Sequence, residues 1–182
     1  APFISLYSHP SLSPAVPIRL EAKVEANSDD SLVFSYRCRY EPIAEIGILL
    51  PELPESTAPV AQDFLWQHTC CEAFVGAADR SDYLEFNFSP SGCWAVYRFE
   101  DYRARDEAFA CMHAPKIQCT VHEDGFDLTA RISTALLPKA TDRMVGLSAV
   151  IETTDGQKSY WALRHDAPQP DFHLRSQFFL SL

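Results

Sequence analysis

Trp66, His68, Cys70, Cys71 and Glu72 crowd into the stretch LWQHTCCEAFVG, residues 65–76. An aromatic slab, an imidazole, two thiols and a carboxyl in such proximity could hold a ligand, coordinate a metal or carry out acid–base chemistry. On an extended chain, successive side chains point to opposite faces. Gln67, Thr69, Cys71, Ala73 and Val75 then share one small, mostly apolar face. Trp66, His68, Cys70, Glu72 and Phe74 share the other. A packed core would have to find a partner for each buried polar group, and a plain solvated face seldom carries Trp, Cys and Phe together. The mixture suits the lining of a ligand site, apolar with a few polar fixtures.

Other stretches offer companions. In YLEFNF (83–88) the residues Tyr83, Glu85 and Asn87 lie opposite Leu84, Phe86 and Phe88. WAVYRFEDYR places Arg98 on the parity of Trp94, and YWALRH places Trp161, Leu163 and His165 on one face. Trp66, His68, Glu72, Glu85, Asn87, Arg98, Trp161 and His165 could therefore converge on one sheet surface. Taken residue by residue, the plainer alternative is that the three Trp are core aromatics and the charges are rim ion pairs.

The elements that must position these residues are strands. Period-2 alternation recurs along most of the chain. In SLVFSYRCRY, Leu32, Phe34, Tyr36 and Cys38 point one way. KIQCTVHEDGFDLTARIS reads as a hairpin turning at Asp124-Gly125, and a second hairpin is expected around Asp155-Gly156. SPSG (89–92) is a further turn. Helical pattern is thin: RARDEAFACM (103–112) and STALLPKATD, the latter interrupted by Pro138, could each make a short helical segment. HPSLSPAVP, PELPESTAP and DAPQPDF read as surface loops. No internal repeat or composition shift divides the chain. The expectation is all-β: a single-domain, two-sheet antiparallel β-sandwich, jelly-roll-like, over 1–182 with one or two short helical segments.

A formal charge of −10 and no Lys/Arg cluster longer than two residues argue against a nucleic-acid partner, whose phosphates want a basic stripe. The same acidity is a poor match to an anionic membrane surface, and no apolar run reaches the roughly 18 residues of a transmembrane helix. Six cysteines in no zinc spacing are expected to be buried thiols acting as small hydrophobes. The first residues lack a basic and apolar signal pattern, so a cytoplasmic location is expected, with an exported mature chain left open.

LWQHTCCEAFVG, YLEFNFSPSGCWAVYRFEDYR and YWALRHDAPQPDFH together resemble the DOMON-like domains related to family 9 carbohydrate-binding modules. The resemblance spans W-x5-E, then Y-x-E-F-N-x-S-P-x-G-x-W, then a closing Trp strand. It implies a two-sheet sandwich with a ligand on its concave side. In sugar-binding members, two Trp sandwich a terminal sugar while Glu and Arg bind its hydroxyls. Trp66 and Trp161 match the two Trp, and Glu72 matches the acidic contact. Arg98 is the best candidate for the basic contact, with Arg103 serving if the register slips. His68, Cys70 and PDFH (170–173) are not features a sugar sandwich needs. The leading expectation is a non-catalytic domain that binds a small carbohydrate, with no cofactor.

Three alternatives stand beside it. Other DOMON relatives bind haem through Met with His or Lys. Here only Met112 and Met144 are available, and Met112 is followed at once by His113, which cannot easily supply the opposite axial position; His68 or His165 would have to ligate. A metal could sit among His68, Cys70, Glu72 and His165 or His173, although no CxxC or HExxH is present. Glu72 and Glu85 on neighbouring strands could act on a glycoside. No G-x-S-x-G or Gly-rich phosphate loop appears, and His68 with Cys70, two apart on one strand, is a poor nucleophile pair. The same concave face could instead bind a protein.

Overall fold

The computed structural model describes all residues, 1–182. Alternation in the sequence becomes twelve antiparallel strands: β1 Ile4–Ser8, β2 Ile18–Ala26, β3 Ser31–Tyr40, β4 Cys70–Ala77, β5 Tyr83–Phe88, β6 Trp94–Asp101, β7 Ala104–Arg105, β8 Lys116–His122, β9 Gly125–Ser133, β10 Arg143–Glu152, β11 Lys158–Ala162 and β12 Leu180–Ser181. One layer runs β1-β2-β3-β9-β8, and the other runs β7-β6-β5-β4-β10-β11-β1, with β12 added beside β10. β1 belongs to both layers. Its Ile4–Leu6 pair with Ala22–Leu20 of β2, while Tyr7 and Ser8 pair with Ala162 and Trp161 of β11.

The core lies between the layers and is built from one parity of each strand. Phe34, Tyr36 and Cys38 of β3 meet Cys71, Ala73 and Val75 of β4 and Leu84, Phe86 and Phe88 of β5. Phe34 stands 5.9 and 5.7 Å from the rings of Phe86 and Phe88, within the range of favourable aromatic packing. The hairpins expected at Asp124-Gly125 and Asp155-Gly156 form, joining β8 to β9 and β10 to β11. Gly125 has φ 154°, and a Cβ there would strike the carbonyl of Cys38, so the turn requires glycine. Cys38, Cys70, Cys71 and Cys93 are buried free thiols, with Cys111 and Cys119 half-buried.

Two local expectations change. Residues 65–67 form a 3-10 turn rather than the start of a strand, which begins at Cys70. Residues 103–112 make a reverse turn, the short β7 and further turns instead of a helix. Arg103 sits at φ 52°, and the Asp106 carboxylate accepts bonds from Arg98 Nη1 (3.0 Å) and Ala108 N (3.0 Å). These long-range and turn bonds override a weak helical propensity. The helical content is confined to three 3-10 turns, and no helix is long and apolar enough to cross a membrane.

The outer face of the β6-β5-β4-β10-β11 sheet is not left to solvent. Every residue of β4 and β5 is buried. Leu65 caps one region with Cys70, Cys93 and Ala95, and Phe178 caps another with Phe74, Tyr83 and Phe99. The segment after β11 crosses this face closely. A Cβ on Gly146 would lie 3.2 Å from the Phe178 ring, and buried Gln177 bonds Asp166 N and Asp171 O, both at 2.9 Å.

Candidate functional site

Between the two covering regions a hollow of about 470 Å³ remains, a volume suited to a small organic ligand. Its floor is the outer parity of the sheet: Glu72 of β4, Glu85 of β5, Tyr97 and Phe99 of β6, Val150 of β10 and Tyr160 of β11. Loops form three walls. Asp63, Phe64 and Trp66 make one, Arg103 and Arg105 a second, and Pro170, Phe172 and His173 the third.

The first wall is set by a left-handed residue. Phe64 at φ 63° starts the 3-10 turn, whose Leu65 is buried. That anchor turns Phe64 and Trp66 outward, 62% and 47% exposed, with their rings 6.5 Å apart edge to face. Tyr97 ties this wall to the floor, donating to Asp63 Oδ1 at 2.6 Å. Burial, and then the Asp63 carboxylate, push the Tyr97 phenol well above its ordinary range. Arg105 lies over the Tyr97 ring at 4.4 Å, a cation–π contact.

The other two walls are fastened to each other. Arg103 Nη2 donates to Asp171 Oδ1 at 2.8 Å, and Tyr102 O–H donates to the same carboxylate. Arg103 N–H donates to the Tyr83 hydroxyl (3.1 Å), which lies 2.8 Å from His173 Nδ1. This order makes Tyr83 the donor to Nδ1 and leaves Nε2 as the N–H facing Glu85 Oε1 at 3.2 Å. Tyr83 stacks on Phe99 at 5.0 Å, and burial raises its phenol to about 12.

Glu72 is placed differently. Its main-chain carbonyl accepts a 2.5 Å bond from Tyr36 O–H, sent across the core by β3. The residue is 3% exposed and lines the hollow, and its carboxyl makes no ion pair. Burial first, then repulsion by Glu85, push it well above the ordinary carboxylate range. The floor thus combines one carboxyl that favours its proton with another paired to an imidazole.

Of the residues singled out from sequence, Trp66, Glu72 and Glu85 meet at the hollow, and five do not line it. Asn87 is fully buried beside Glu72, its cross-strand partner. His68 turns away to bond Glu152 Oε1 at 2.9 Å. Arg98 is on the core-facing parity, opposite Leu84, and is held by Asp82 (3.2 Å) and Asp106 (3.0 Å). Arg103, the alternative, does line the hollow. His165 is at the β1 edge, with Nε2 on Tyr7 O at 2.7 Å. Trp161 requires a correction: it pairs with Ala149, belongs to the core between the layers, and donates through Nε1 to Ser159 Oγ at 2.8 Å. Its neighbour Tyr160 takes the place at the hollow. The apolar Leu163, on Trp161's parity, was the signal that this parity faces the core.

Of the side chains considered as metal ligands, only Glu72 and His173 share the hollow. Cys70 packs with Leu65 and Ala95, and His68 and His165 point to Glu152 and Tyr7. Tyr97, Phe99, Arg105 and Tyr160 were not identified from sequence, and Phe172 only within PDFH. Of these, Tyr97 and Phe99 carried a usable signal, their alternation with Val96 and Arg98 in WAVYRF.

No family model matches the chain, and no curated protein matches it in sequence. Among solved structures, the fold is similar to that of a protein from Bacteroides uniformis described as a "putative carbohydrate-binding protein". The two superpose with a TM-score of 0.65 at 12% identity, covering 98% of this chain and 84% of the other. The chain is thus an all-β sandwich of the architecture seen in that protein.

Proposed function

We propose that the hollow binds a small carbohydrate and does not transform it. One observation carries this reading: Trp66 of one wall and Tyr97 and Tyr160 of the floor line the same hollow as a buried carboxyl, Glu72, that makes no ion pair. A pyranose presents C–H groups on its faces and hydroxyls at its edge. Aromatic slabs cover the former, and carboxyl and guanidinium groups bond the latter. The fold shared with the Bacteroides uniformis protein supports the reading, as do the residue types expected from sequence at Trp66 and Glu72. Tyr160 replaces Trp161 as the aromatic partner, and Arg103 replaces Arg98 as the basic one.

Trp66→Ala tests the reading. Calorimetric titration with a panel of pyranoses should show affinity falling by about tenfold or more. The half-exposed position should leave stability within about 0.5 kcal/mol. Unchanged affinity would remove Trp66 from the site and the sugar-stacking model with it.

A glycoside-acting enzyme has one observation in its favour, two buried carboxyls in one hollow with unlike surroundings. Release of nitrophenol from aryl glycosides, abolished by Glu72→Gln with the fold intact, would place that reading first.

A further inference from the structure

Beneath the hollow the strand register sets three polar residues side by side. Glu72 pairs with Asn87 on one side and with Ser148 on the other. All three point to the outer face and are almost completely buried, at 3%, 0% and 2% exposed. Asn87 Nδ2, Asn87 Oδ1 and Ser148 Oγ have no hydrogen-bond partner in the protein. Buried polar groups are nearly always paired, so three unpaired atoms flanking one carboxyl need a physical reason. Packing supplies none, since alanine or leucine would fill these positions without the penalty. Side chains directly opposite in antiparallel strands have Cβ atoms about 4.5–5.5 Å apart. Both the amide and the hydroxyl are therefore within a rotamer change of the Glu72 carboxyl, and Glu72 alone of the three reaches the hollow.

We infer that Asn87, Glu72 and Ser148 act as one hydrogen-bonding unit, through which Glu72 reads the hydroxyls of an uncharged sugar and rejects charged ones. The inference rests on the carbohydrate reading. Glu72 touches the ligand, while Asn87 and Ser148 are positioning residues.

The selectivity follows from what faces Glu72. The groups around it are the Glu85 carboxylate from β5, the Tyr160 phenol from β11, the Cys70 thiol on its own strand and, at its carbonyl, Tyr36 from β3. None is a cation. His173, the nearest imidazole of the C-terminal wall, is held by Glu85 and Tyr83. Arg103 is occupied by Asp171 and Tyr102. A carboxyl so enclosed keeps its proton and offers one donor and one acceptor, which matches a sugar hydroxyl. Asn87 can accept from the acid or donate to it, and the Ser148 hydroxyl can do the same. An ammonium would find only the neutral acid at Glu72, with Glu85 Oε1 already facing the His173 N–H. A carboxylate would meet the acceptor oxygens of Glu72 and Glu85, while Arg103 is held on Asp171 and Arg105 lies over the Tyr97 ring.

Calorimetric titration of the full chain at neutral pH tests this. The uncharged probes are glucose, galactose and xylose, and the charged probes are glucosamine and glucuronate. The best uncharged probe should bind at least about tenfold tighter than either charged one. Glu72→Gln replaces the acid with a neutral isostere that does not titrate. It should abolish the fall in affinity expected of the wild type as pH rises. Ser148→Ala should move the midpoint of that fall, a readout that a purely packing role would leave in place. Tighter glucosamine binding would make an ionised carboxylate the working group, and a pH-dependent fall that persists in Glu72→Gln would assign it to another residue; either result overturns the inference. Tighter glucuronate binding would give recognition to Arg103 or Arg105 and overturn it equally.

If no sugar binds at all, the carbohydrate reading fails on its own, and the unit is then judged without ligand. The infrared difference between wild type and Glu72→Gln at neutral pH should contain the carbonyl band of a protonated carboxylic acid. Its absence would overturn the unit.

Discussion

Trp161→Ala is expected to lower the stability of the fold by about 3–5 kcal/mol, measured by denaturant titration. The indole is 5% exposed, packs within the main core and satisfies its N–H on Ser159. Truncation removes that volume from a layer whose other members, Ala149 and Ile151 on the neighbouring strand, cannot move in to fill it. The contrast with Trp66→Ala is sharp, because the exposed Trp should change affinity and the buried one stability. A Trp161 variant that stayed as stable as wild type while losing ligand would mean that this ring, not Tyr160, faces the hollow.

Glu72→Gln should stabilise the protein at neutral pH. In the folded state the Glu72 carboxyl is held well above the ordinary glutamate value of 4.5. Between those two values the folded chain keeps a proton that the unfolded chain has lost, so wild-type stability declines as pH rises from about 4.5 upward. The decline ends only at the folded-state value. Glutamine does not titrate and escapes the decline. The advantage of the variant should therefore be small in acid and should grow with pH, by up to about 1.4 kcal/mol per pH unit within that window. Urea melts at a series of pH values check it. A variant advantage that shrank as pH rose would mean that Glu72 is stabilised in its ionised form, by a cation not seen around it.

Much of this molecule can be read from its sequence because period 2 is a strong signal. Cys71, Ala73 and Val75 against Glu72 and Phe74, and Leu84, Phe86 and Phe88 against Glu85 and Asn87, divide into core and outer faces as the alternation demands. Parity, however, sorts a strand into two faces without naming which one meets the other layer. Trp161 shows the consequence: the side chain of greater chemical appeal went to the core, and Tyr160 to the hollow. Arg98 differs again, since its parity is the core-facing one and its charge is satisfied at the end of the sheet by Asp82 and Asp106.

The walls of the hollow were the least legible part. Arg103 and His173 come together through Asp171 and Tyr83, across separations of 68 and 90 residues. Nothing local in RARDEAFACM or PDFH encodes that meeting. Trp66 was recognised by its type although its strand was not there. A 3-10 turn anchored by Leu65 presents it to the hollow just as an extended strand would have.

The double membership of β1 bears on how this site can respond to a ligand. Its first half is stitched to β2 and its second half to β11, so the two layers share a strand along one side. A sandwich joined only by loops could slide or gape to admit a guest. This one is seamed, and Tyr36 adds a rivet from the far layer to the Glu72 backbone. The floor is therefore a fixed plate, and adaptation to ligands of different size falls to the loop walls. Shape selectivity should vary with residues 61–66, 102–105 and 170–173, while the chemistry read at the floor stays constant.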